Sequence, residues 1–128
     1  MSFTLSIAGD ETPYRGQELA QLLAEVAAGR VDFLILTRDS SQEYVQAAGA
    51  HGRVNVERRD HIAGEWVHVK FARRDGSLAE LPPLVAGYAG FPDRELFAPD
   101  HAARVFSNFV AGLPASASAE LLTLPVEF

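Results

Sequence analysis

The chain has no cysteine. That excludes disulfide staples, thiol nucleophiles and thiolate metal sites, and it fits a reducing compartment. No run approaches the roughly 18 consecutive apolar residues that a membrane-spanning helix needs. Met1 to Gly9 carries no positive charge ahead of its short apolar part, so it does not read as a secretory signal. A cytoplasmic location is therefore the expectation. Basic side chains are in the minority, 11 against 17 acidic ones, for a formal net charge of -6. An acidic surface is repelled by nucleic acid backbones, so direct nucleic-acid binding is disfavoured, whereas a basic protein partner is allowed.

What is present suits one folded domain covering residues 1–128. Apolar residues make up 48% of the chain and are spread along its whole length. A chain of this size can bury roughly two-thirds of its unfolded surface, enough for a core without metal or disulfide. Phe3, Leu5 and Ile7 alternate with polar residues, the period of a half-buried strand. Thr12-Pro13 reads as a helix start, with Leu19, Leu22, Leu23 and Val26 as its apolar stripe and Gly29 at its end.

Four strands are expected in succession between Phe33 and Phe71, separated by short turns that require antiparallel pairing. A second helix opens at Pro99-Asp100, buries Ala102, Val105, Phe106, Phe109 and Val110, and ends at Gly112 and Pro114. Leu121 to Phe128 suggests a last strand. The expected architecture is α+β: a curved antiparallel sheet of about five to six strands with two helices on one face.

No constellation of nucleophile, base and orienting group stands out. The four histidines, His51, His61, His68 and His101, lack metal-ligand spacing, and no cofactor or metal is expected. In the run Glu57-Arg58-Arg59-Asp60, alternation places Glu57 and Arg59 on one face and Arg58 on the other. If Val54 and Val56 point inward, Arg58 follows them and needs a carboxylate partner. The other reading is a solvated strand end. The long Gly/Pro-containing segment from Tyr88 to Phe97 offers Tyr88, Phe91 and Phe97 beside Asp93, Arg94 and Glu95. Such a segment is either an interface loop or a plug at the end of the core.

Phe33-Leu-Ile-Leu36, Tyr44-Val-Gln-Ala-Ala-Gly49, Val56-Glu-Arg-Arg-Asp60 and the helix around Ala103-Arg-Val-Phe106 together resemble the first immunity-protein family of bacterial polymorphic toxin systems. The resemblance implies a cytoplasmic antidote that binds and blocks a cognate toxin domain, often a nuclease or a nucleic-acid deaminase. On that reading the expected partner-binding residues are Asp39, Glu43, Glu65, Tyr88, Phe91, Asp93 and Glu95. A small enzyme or small-ligand carrier, with a pocket between helices and sheet near Tyr44, Trp66 or His68, remains the alternative.

Overall fold

The computed structural model of the protein describes residues 1–74, 93–118 and 121–126. Its strands are β1 (Phe3–Ile7), β2 (Asp10–Pro13), β3 (Phe33–Arg38), β4 (Tyr44–Ala50), β5 (Arg53–Ile62), β6 (Glu65–Arg73) and β7 (Leu121–Pro125). Helix α1 covers Leu19–Ala27 and α2 covers Pro99–Val110, with 3-10 turns at Asp93–Glu95 and Ala115–Ala117. The strands form one seven-stranded sheet in the order β2-β1-β3-β4-β5-β6-β7, antiparallel throughout and not closed. The α+β class with two helices is as expected, and the extra strand is β2.

That strand corrects the expected helix start. Thr12 and Pro13 do not cap a helix; they pair with Leu5 and Thr4 along the sheet edge. An edge strand accepts proline where its nitrogen faces away from the ladder. The N–H that bonds Phe3 O, at 2.9 Å, comes from Tyr14 and not from Pro13. Helix α1 starts only at Leu19, with no side-chain cap.

Both helices lie on the same face and touch each other; α1 packs on β3, β4 and β5, and α2 on β4 and β5. Leu5, Leu34, Leu36, Val45, Ala47 and Val56 rise from the sheet to meet Leu23, Val26, Phe106 and Phe109 from the helices. Leu23, Val26, Phe106 and Phe109 have no exposed surface, so the space between helices and sheet is filled. Each such side chain contributes about 1.5–3 kcal/mol by leaving water. Among the described residues no helix is long and apolar enough to cross a membrane.

Gly49, in the run singled out from the sequence, has a steric reason to be there. A Cβ at that position would lie 2.1 Å from Arg53 O and 2.8 Å from Val54 Cα. Only glycine lets β4 and β5 close onto each other at this point.

Candidate functional site

Strands β5 and β6 outrun their neighbours. β4 pairs with β5 only as far as Arg59, and β7 pairs with β6 only from Val69. Beyond that, β5 and β6 continue as a two-stranded arm, paired from Asp60↔Val67 to Ile62↔Glu65. Ala63 and Gly64 close it, both with positive φ (52° and 83°). A two-residue turn of this kind matches the twist of the flanking strands.

The large hydrophobic side chains that the described residues expose, Met1 aside, are Ile62 (55%), Trp66 (44%), Val67 (38%) and Leu113 (43%). Three lie on the arm, and Leu113 follows the end of α2. Scattered exposed apolar residues need no explanation, but a gathered set marks an interaction surface.

Between the arm and the end of α2 runs a groove of about 260 Å³, with Ile62, Val67, Leu113 and Pro114 on its rim. Its floor is ionic. The register sets Leu5, Leu36, Val45 and Arg58 in one row across the sheet, so Arg58 occupies a core position. Arg58 is only 3% exposed, and the solvated-strand-end reading of this residue is corrected. The carboxylate it requires comes from Asp60, two residues along the same face. Nε donates to Asp60 Oδ2 at 2.9 Å and Nη2 donates to Oδ1 at 3.0 Å. Arg58 Nη2 also donates to Leu113 O at 2.6 Å.

Arg38, at the end of β3, does the same from the neighbouring side. It is paired with Glu43, and its Nη2 donates to Phe109 O at 3.1 Å. The two guanidiniums flank the Phe109 ring, 4.8 Å and 5.1 Å from its centroid. Helix α2 has no basic residue in its own last turn. Its negative end is met instead by two cations from the sheet. Gly112, at φ 77°, makes the reversal that brings Leu113 back toward Arg58: Gly112 N–H bonds Phe109 O and Leu113 N–H bonds Asn108 O.

Glu43 is saturated. It is paired with Arg38, and its Oε1 accepts the Ser41 hydroxyl at 2.8 Å, while Oε2 accepts the His61 N–H at 2.9 Å. Burial pushes its pKa up, but the His61 amide, the Ser41 hydroxyl and the Arg38 guanidinium outweigh it and leave the carboxyl below its ordinary value. A proton-transfer group needs a pKa near the working pH and a free edge. Glu43 has neither, because its oxygens are already taken by Arg38, Ser41 and the His61 amide.

The opposite face of the arm, turned away from the helices, is aromatic and basic. Tyr44, Arg59 and His68 stand side by side across β4, β5 and β6. The Arg59 guanidinium lies 4.6 Å from the centroid of Trp66, and the His61 ring lies 4.9 Å from the same residue. Tyr44 meets His68 edge-on at 6.1 Å. Glu57 accepts a bond from Gln46 at 2.7 Å and lies 3.8 Å from His68 Nε2.

The structure brings Asp39, Glu43 and Glu65 to this one end of the molecule. Asp39 is exposed and accepts a 2.6 Å bond from the Thr4 hydroxyl. That bond, with a second from Ser2, lowers its pKa. Glu65 is exposed and sits opposite Ile62 on the arm. Asp93 opens the 3-10 turn Asp93–Glu95, which packs against β6.

Glu95 requires a correction, and Phe97 follows the plug reading. Glu95 is 5% exposed and pairs with Lys70 Nζ at 3.1 Å. Phe97 has no exposed surface and bridges Val54 through two backbone bonds, 2.8 and 2.9 Å long. This part of the segment plugs the core against β5, and Glu95 is not available to a partner. Tyr88 and Phe91 lie outside the described residues.

Sequence reasoning missed Ile62, Val67 and Leu113, because a lone apolar residue beside a turn carries no signal until the strand lengths are known. Among the described residues no group of three His, Asp or Glu side chains is placed to hold a metal ion. Comparison with family models, with curated proteins and with solved structures finds no match to this chain.

Proposed function

We propose that the protein acts by binding another protein through the β5–β6 arm and the adjoining groove, as a cytoplasmic antidote that covers the working surface of a cognate toxin domain. One observation carries the binding part: Ile62, Trp66, Val67 and Leu113, the exposed large hydrophobics of the described residues after Met1, gather at one end of the sheet. Ile62, Val67 and Leu113 border the groove and Trp66 lies on the other face of the arm, and exposed aliphatic and aromatic anchors of this kind are the usual core of a protein interface. The groove, at about 260 Å³, falls below the roughly 300–1,000 Å³ typical of small-molecule sites and suits one inserted side chain. The toxin part rests on the resemblance of the strand and helix motifs described above. Asp39 and Glu65, both exposed at this end, add negative charge that would speed encounter with a basic toxin cleft.

The test is to identify a toxin domain encoded in the neighbourhood of this chain's gene, co-express the two, and purify and titrate the pair. An interface of standard size would cover about 800 Å² on each side. Ile62→Asp and Leu113→Asp, each placing a charge at the groove rim, should each weaken binding by about 100-fold and abolish growth protection. Both positions are exposed, so the variants keep the fold. Wild-type affinity and protection in both variants would remove the arm and groove from the interface.

A further inference from the structure

We infer that the face of the arm turned away from the helices is a receptor for a carboxylate on the protein partner, with Arg59 as the ligand-binding cation and Trp66 as its platform. The inference rests on the reading that the arm docks a protein. It adds a second contact, of defined chemistry, on the opposite side of the arm from the groove.

The charges make the case. Arg30, Arg38 and Arg58 are each tied to an acid, namely Glu25, Glu43 and Asp60. Lys70 is likewise tied to Glu95. Arg59 forms no ion pair with any described carboxylate. Its cross-strand neighbours are Tyr44 and His68, and its guanidinium lies over Trp66. The one acid on the same face of β5, Glu57, is engaged by Gln46 and His68.

A guanidinium laid on an indole is held in place by the ring, and although Arg59 Nε is buried, its two Nη groups can take a carboxylate through two parallel bonds. His61, cross-strand from Trp66, holds its ring 4.9 Å from the indole on the same face. In a chain with net charge -6 this is a local basic spot, and complementarity calls for an acidic group opposite it. The same overall charge repels a nucleic acid backbone, so the acid is assigned to a protein.

Trp66 is the only tryptophan in the chain, so its fluorescence reports on this face alone. The full-length protein would be titrated with the peptide Ac-Gly-Leu-Glu-Leu-Gly-NH₂, with its Gln counterpart, and with a single-stranded 12-mer of DNA. The expected result is a saturable change in Trp66 emission with the Glu peptide, at an affinity about tenfold above that for the Gln peptide. Arg59→Gln should erase that difference, and Arg59→Lys should keep only part of it. Equal affinity for the two peptides in the unmodified protein overturns the inference without any variant. Tighter binding of the DNA than of the Glu peptide also overturns it. A toxin domain that binds Arg59→Gln as well as wild type, yet loses affinity with Ile62→Asp, overturns the carboxylate contact and leaves the docking reading intact.

Discussion

Replacing Arg58 with methionine keeps most of the side-chain volume and removes only the charge and its hydrogen bonds. In the folded chain the Arg58 side chain is 4% exposed and that of Asp60 11%. The substitution removes the paired bonds to Asp60, the 2.6 Å bond to Leu113 O and the stacking on Phe109. It leaves the Asp60 carboxylate buried without its counter-ion and the end of α2 without one of its two cations. Breaking one side of a buried pair in this way costs about 3–5 kcal/mol. Against a typical total of about 5–15 kcal/mol, that is a large share of the stability.

In urea unfolding with a slope of about 2 kcal/mol/M, a loss of about 4 kcal/mol moves the midpoint down by about 2 M. The companion variant is Arg58→Met combined with Asp60→Leu, which removes both charges. Apolar replacement of a whole buried pair is often neutral, so the double variant should recover most of the loss. A loss below about 1 kcal/mol for Arg58→Met would refute the reasoning. So would a double variant no more stable than the single one.

Gly49→Ala should cost about 2–3 kcal/mol in the same assay, because its Cβ would lie 2.1 Å from a backbone oxygen and the hairpin must open to admit it; a cost under about 0.5 kcal/mol contradicts that approach. Ala8 and Ala63 occupy left-handed backbone (φ 51° and 52°) at the first position of two-residue turns, where asparagine is far better tolerated. Ala8→Asn and Ala63→Asn should therefore each raise stability by about 0.5–1 kcal/mol, measured by thermal and urea unfolding, and a decrease in both would show the turns misjudged. Glu43 is held below its ordinary value of 4.5 in the folded chain. The stability it contributes is complete above about that pH and is lost as pH falls through the folded value. A stability-versus-pH series should show Glu43→Gln less stable than wild type at pH 7 and less steeply dependent on pH on the acid side. Parallel curves for the two proteins would contradict the assignment.

Most of the layered architecture was legible from periodicity. Phe3, Leu5 and Ile7 alternate, the strands from Phe33 to Phe71 follow one another with short turns, and the stripe Ala102, Val105, Phe106, Phe109 repeats at helical spacing. Such patterns record burial directly, because each face of an element meets one environment. The alternation of Val54, Val56 and Arg58 offered a core cation needing a carboxylate as one of two readings, the other being a solvated strand end, and burial of Arg58 decides for the first. The strand β2 was lost to a local ambiguity. Thr-Pro opens helices, and it is equally at home on an edge strand, and only the Ala8-Gly9 turn before it distinguishes the two.

The candidate site was legible in part. Asp39 sits in a turn, Glu43 just before β4 and Glu65 at the start of β6, and the three converge only when the sheet is assembled. The length by which β5 and β6 exceed β4 and β7 decides that Ile62, Trp66 and Val67 remain outside, and pairing register across four strands is not written in any one of them. Glu95 reads as surface because the Gly- and Pro-rich stretch before it looks exposed, whereas the bridge from Phe97 to Val54 draws this part inward and bears out the core-plug reading for Phe97.

The two arginines that grip the tail of α2 are separated from their carbonyl acceptors by 71 and 55 positions. Neither clasp can close on a growing polypeptide until the second helix and the turn after it have been made. Until then two cations wait at the margin of an unfinished sheet. The meander acquires its last fastenings only when the late segment arrives, so completion of this domain depends on distant pairing more than on local propensity.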